Sequence, residues 1–129
     1  MKIEIDMHSA APGVAGELRK FVEHHVRCSL AQVRLHVERV LVRLTDLNGP
    51  QGSFDQLCAV QVRIAGQRPV MVRDVRPDMR TAIARAVERA GLNSLRRLRQ
   101  RQLLATAMVL SNASRTPGPS RVIRLLQQD

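Results

Sequence analysis

The sequence predicts an α+β fold: a two-layer β-α-β-β-β-α domain, with a four-stranded sheet carrying two helices on one face. Three observations predict it. Apolar residues alternate in twos over four short segments. They recur at helical spacing over two longer ones. The last three period-two segments are consecutive and joined by turn-forming residues, which suits an antiparallel meander, and one sheet face gives both helices somewhere to bury their stripes.

The first segment, Lys2 to His8, places Ile3, Ile5 and Met7 on one side and Lys2, Glu4, Asp6 and His8 on the other, as in a half-buried strand. Ser9 to Gly13 marks a turn and a helix start. From Val14 to about Val33 the period becomes helical, with Leu18, Val22, Val26 and Val33 sharing a face. Leu35 to Val37 fits either a continuation of that helix or an exit from it.

Glu38 to Leu47 alternates again, Val40, Val42 and Leu44 opposite Arg39, Leu41, Arg43 and Thr45. Asn48 to Ser53 is a turn cluster. Cys58, Val60, Val62 and Ile64 form the inward row of a third strand, and Ala65 to Arg68 reads as a tight hairpin turn. Pro69 to Val75 is a fourth strand, its leading proline suited to a strand start or an edge. The outward face of the sheet, with Arg39, Arg43 and Gln61, is expected to be basic and partly wet.

Asp78 is placed to cap a helix that follows Pro77. Met79, Ile83, Ala86, Val87 and Ala90 make its apolar stripe. Gly91 and Asn93 interrupt the pattern, which is compatible with a continuous helix and with a break. Leu103 to Leu110 either extends this helix or forms a second one. Ser111 to Ser120 has linker composition, and the ending Arg121 to Asp129 is too short to be a stable helix alone. The domain is therefore drawn over residues 1–102, with 103–129 a partly flexible C-terminal extension.

Charge is the informative part of the composition. The 129 residues carry 21 Lys plus Arg against 11 Asp plus Glu, a formal net charge of +10. Residues 1–78 hold 11 basic and 9 acidic residues, whereas residues 79–129 hold 10 and 2. A field so lopsided draws polyanions. Between Arg80 and Arg101 seven arginines face one acid, Glu88. At 100° per residue, Arg85, Arg89, Arg96 and Arg99 fall within about 80° of one another. Neutralising phosphates on such a stripe releases counterions, which favours nucleic acid. The chain has two Phe and neither Trp nor Tyr. That argues against base-stacking modules and for the phosphates and shape of structured RNA.

Other chemistries find no constellation. Cys28 and Cys58 lack paired-ligand spacing and read as half-buried free thiols. His24 and His25 are adjacent, pointing about 100° apart on a helix, so neither they nor His8 and His36 suggest a metal site. Asp74 and Asp78 read as helix-capping acids. No phosphate-binding glycine motif or nucleophile elbow occurs. The reading is of a non-enzyme with no cofactor, no metal and no small-molecule substrate. No apolar run approaches the roughly 20 residues of a membrane span, and the N-terminus lacks a signal-peptide core, so no membrane and a cytoplasmic location are expected.

Three stretches carry a family resemblance: ELRKFVEHHV at Glu17–Val26, VERVLVRL at Val37–Leu44, and DMRTAIARAVER at Asp78–Arg89. In order and spacing the chain resembles the ribosome hibernation promoting factor and ribosome-associated inhibitor A family over roughly residues 2–102. The resemblance implies a β-α-β-β-β-α fold similar to double-stranded RNA-binding domains. It also implies a cytoplasmic partner, the small ribosomal subunit, bound through ribosomal RNA where messenger and transfer RNA pass, silencing idle ribosomes under stress. The family's basic run maps onto Arg85, Arg89, Arg96, Arg97, Arg99 and Arg101. Arg80 stands where the family has Tyr and is counted with them as RNA-binding, and Ala84 replaces a family acid. Residues 103–129 do not resemble the dimerisation domain of the family's long form. The alternative is a protein-interaction or oligomerisation module, a homodimer included, that uses an exposed strand or the apolar segments Leu103–Leu110 and Val122–Leu126.

Overall fold

The period-two segments form strands and the helical ones helices. The computed structural model describes residues 1–8, 12–47 and 55–114. In order these are β1 (Lys2–His8), α1 (Pro12–Ser29), a 3-10 turn (Ala31–His36), β2 (Val37–Asp46), β3 (Gln56–Ile64), β4 (Val70–Arg76) and α2 (Met79–Ser114). The turn residues 48–54, most of the expected linker and the ending Arg121–Asp129 lie outside the described residues. The chain divides into two units, Met1–Arg96 and Arg97–Asp129. The boundary expected at 102/103 falls within α2.

In the first unit the sheet order is β1-β2-β3-β4. β1 pairs parallel with β2, as a strand returning through a helix requires, and β2, β3 and β4 form the antiparallel meander. Gly66 turns the β3–β4 hairpin with φ 73°, a conformation that costs glycine nothing. One sheet face is dry: Val40, Val42, Leu44, Cys58, Val60, Val62 and Ile64 are essentially without solvent contact. So are Val22 and Val26 of α1 and Ala82, Ile83, Ala86, Val87 and Ala90 of α2. Fully burying a Val or Ile contributes about 1.5–3 kcal/mol, so this layer holds the fold.

Two local expectations are corrected, and one alternative is decided. The first helix stops at Ser29 instead of running to Val33. The chain tightens into a 3-10 turn in which Val33 N–H donates to Leu30 O at 3.1 Å, and both side chains stay buried. The spacing of three keeps them on one side. The thiols are not half-buried: Cys28 is exposed and Cys58 fully enclosed. Burial, reinforced by the negative Asp74, pushes the Cys58 thiol up to about 12, so it stays neutral and inert. Of the two alternatives open at Gly91, the continuous helix is the one found: α2 does not break there. A Cβ there would lie 2.3 Å from Ser29 O, so the missing side chain lets the end of α1 approach α2. Beside it the buried Ser94 hydroxyl donates to Ala90 O at 2.7 Å.

In the second unit α2 runs on to Ser114, so Leu103–Leu110 extends the helix. Leu103, Leu104, Met108, Val109 and Leu110 are 65–70% exposed. No helix among the described residues is long and apolar enough to cross a membrane.

Candidate nucleic-acid interface

α2 begins where the sequence places it. Asp78 Oδ2 accepts from Thr81 N–H at 3.0 Å and from Thr81 Oγ1 at 2.9 Å. These bonds hold the Asp78 carboxyl below the usual range and satisfy one of the helix's orphan donors. The buried stripe of Ala82, Ile83, Ala86, Val87 and Ala90 fixes the rotation of the helix, and with it where each arginine emerges.

Arg80 emerges toward α1. Its guanidinium lies over the Phe21 ring at 4.9 Å, and Nη2 is 3.8 Å from Glu17 Oε2. The His25 ring lies tilted against Phe21, and its Nδ1 donates to Phe21 O at 3.1 Å. Arg85 and Arg96 are exposed and form no ion pair or hydrogen bond through their side chains among the described residues. Both guanidinium groups are therefore open to an external anion.

Arg89 is held differently. Its Nη2 donates to Asp74 Oδ2 and to Arg73 O, each at 3.2 Å. Asp74 is the exception among the acids: its side chain is only 5% exposed, and its other oxygen accepts from Arg76 Nε at 2.8 Å. It was read as a helix-capping acid. It instead points inward from β4 and anchors α2, because a carboxylate buried there needs compensating cations. Arg73 O belongs to an edge strand, so Arg89 also covers an edge acceptor that would otherwise invite strand pairing.

This contact has an electrostatic consequence. It sets the arginine side of α2 against β4, whose Arg73 and Arg76 are exposed at the same edge. Arg85, Arg89 and Arg96 share one side of α2, which also carries the exposed Glu88, and Arg89 ties that side to the β4 edge where Arg73 and Arg76 are exposed. In the second unit Arg99 and Arg101 are exposed and Arg97 is half-buried, and Arg97 and Arg101 each engage a partner. Sequence reading missed Arg76 as a neighbour of these arginines.

On the open face of the sheet, Arg39 Nε lies 3.4 Å from Glu4 Oε2 and Arg43 Nε 3.3 Å from Asp6 Oδ2. The β1 side is therefore charge-balanced and the β4 side is not. Among the described residues no three His, Cys, Asp or Glu side chains gather as a metal site would require. Cys28 Sγ lies 3.8 Å from His24 Nε2 on exposed α1.

No protein-family model and no curated protein matches this sequence. Solved structures do match its fold. A ribosomal subunit interface protein from Coxiella burnetii aligns with a TM-score of 0.58 at 11% identity, covering 74% of this chain and 96% of that one. The N-terminal domain of Protein Y from Thermus thermophilus aligns with a TM-score of 0.56 at 21% identity, covering 74% and 98%. This chain has their fold.

Proposed function

We propose that this protein is a ribosome-associated translation regulator, a hibernation or stress factor that docks in the cytoplasm on the ribosomal RNA of the small subunit. The observation that carries the reading is the basic surface of α2, where Arg85 and Arg96 stand open beside Arg89 and the β4 arginines. A rigid helix presenting unpaired guanidinium groups suits phosphates held at fixed spacing, as in folded RNA. Arg80, Arg97, Arg99 and Arg101 extend the candidate set. The two matched structures support the choice of polyanion, since one is named a ribosomal subunit interface protein and both share this fold. The test is cosedimentation of the full chain with purified subunits on sucrose gradients. Comigration with small subunits in low salt is expected, and a protein that remains at the top of the gradient contradicts the reading.

A second reading has one observation in its favour: the apolar side chains of Leu103, Leu104, Met108, Val109 and Leu110 stand in solvent. In it the C-terminal helix pairs with a second copy or another protein. Light scattering on the full chain and on a chain ending at Arg101 separates the two. A dimer that needs residues 102–129 and has no RNA affinity would favour this second reading.

A further inference from the structure

The open face of the sheet holds a trough that the helix arginines do not explain. Strand register puts Arg43, Ala59 and Arg73 directly opposite one another on β2, β3 and β4. Ala59 is the small residue of that row, so a hollow of about 370 Å³ opens above it. Leu41, Leu57 and Met71 wall the hollow, and the two arginines line it from either side. Met71 is 70% exposed.

The dimensions suit a flat group. Two strand spacings put the Arg43 and Arg73 backbones about 9.5 Å apart. A planar ring between two guanidinium planes needs about 7 Å, twice a van der Waals contact. Guanidinium planes replace the aromatic platforms this chain lacks, since bases stack on them as well.

Charge decides what kind of planar group. Glu4 and Asp6 on the β1 side of the same face are paired with Arg39 and Arg43, so the uncompensated cation beside the apolar floor is Arg73. A nucleobase would lie on that apolar floor. Its phosphate would turn to the opposite side, where Arg73 leads round the β4 edge to Arg89 and the surface of α2.

We infer that this trough is a nucleotide-binding site, taking one unpaired base of an RNA strand between Arg43 and Arg73 while the strand's phosphates continue onto α2. The inference rests on the RNA reading above and adds a site for a single-stranded nucleotide to it.

The test compares a fluorescein-labelled ten-nucleotide oligouridine with a labelled blunt RNA duplex, by anisotropy on the full chain. Ala59→Leu fills the trough with a residue that strands accept, and Arg73→Gln removes one guanidinium plane; thermal melts confirm that both variants fold. Each is expected to weaken oligouridine binding about tenfold, and Ala59→Leu is expected to leave duplex binding within twofold. Arg85→Glu with Arg96→Glu is expected to weaken the duplex. Unchanged oligouridine affinity in Ala59→Leu, with duplex binding intact, overturns the trough and spares the RNA reading. A labelled acidic peptide that binds the trough and is lost in Ala59→Leu, while oligouridine is not, overturns it in favour of a protein partner. Failure of wild-type protein to bind either RNA overturns both.

Discussion

Arg89 Nη2 on α2 donates to Asp74 Oδ2 on β4 at 3.2 Å, joining a half-exposed cation to a carboxylate that is 5% exposed. One residue thereby fastens the last helix to the edge of the sheet and sits within the basic surface. Replacing Arg89 with Ala leaves the buried carboxylate with Arg76 alone. A loss of about 1–2 kcal/mol is expected, below the full cost of breaking a buried pair because Arg89 itself is solvated. Urea unfolding checks it: the midpoint should fall for Arg89→Ala and stay within error for Arg85→Ala. An equal effect of both would mean that Asp74 does not anchor the helix.

Gly91 gives a second expectation. In an exposed helix, Gly→Ala gains roughly 1 kcal/mol. Here the new Cβ would meet Ser29 O at 2.3 Å, a backbone atom that moves only if α1 moves. Gly91→Ala is therefore expected to destabilise by about 1–3 kcal/mol, read as a lowered melting temperature. A raised one would show that the end of α1 is free to retreat.

The Asp78 cap makes stability depend on pH in a stated direction. Its carboxyl titrates lower in the folded state than the ordinary 3.8, chiefly through the Thr81 hydroxyl and then its N–H. A depressed folded pKa contributes stability that is full above the unfolded value and lost as pH falls through the folded one. Asp78→Asn, which still caps, is expected to flatten this dependence below about pH 4, whereas Asp78→Ala should cost about 1 kcal/mol at neutral pH. Melts at pH 7 and pH 3 on the three proteins measure both effects.

The two thiols should differ in reactivity. Exposed Cys28 is expected to take iodoacetamide in the native protein at pH 8, and enclosed Cys58, with its pKa at about 12, only after unfolding. Mass spectrometry should find one adduct natively and two in denaturant. Two native adducts would mean that the sheet opens locally.

What the sequence made legible follows the range of the interactions. Ile83, Ala86, Val87 and Ala90 could be read as buried because their spacing alone carries the signal, and Val40, Val42 and Leu44 likewise. Asp78 could be read as a cap because its partner Thr81 is three residues away. Asp74 could not be read correctly, since its deciding partner is fifteen residues on and across a layer. Gly91 looked like an interruption for the same reason: what requires it is Ser29, on another helix. The trough needed the strand register, which puts Ala59 between Arg43 and Arg73 and which no local pattern contains. In the candidate site, the arginines were visible as a stripe, but which of them are open and which are tied was not.

The most direct measurement of the central claim is the salt dependence of small-subunit binding for wild-type protein and for the Arg85→Glu, Arg96→Glu double variant. A basic helix on ribosomal RNA predicts affinity falling linearly in log–log form with salt. The double variant should bind at least tenfold more weakly, with a slope shallower by roughly 1.5 for two lost phosphate contacts. Equal affinity and equal slope in the two proteins would contradict it.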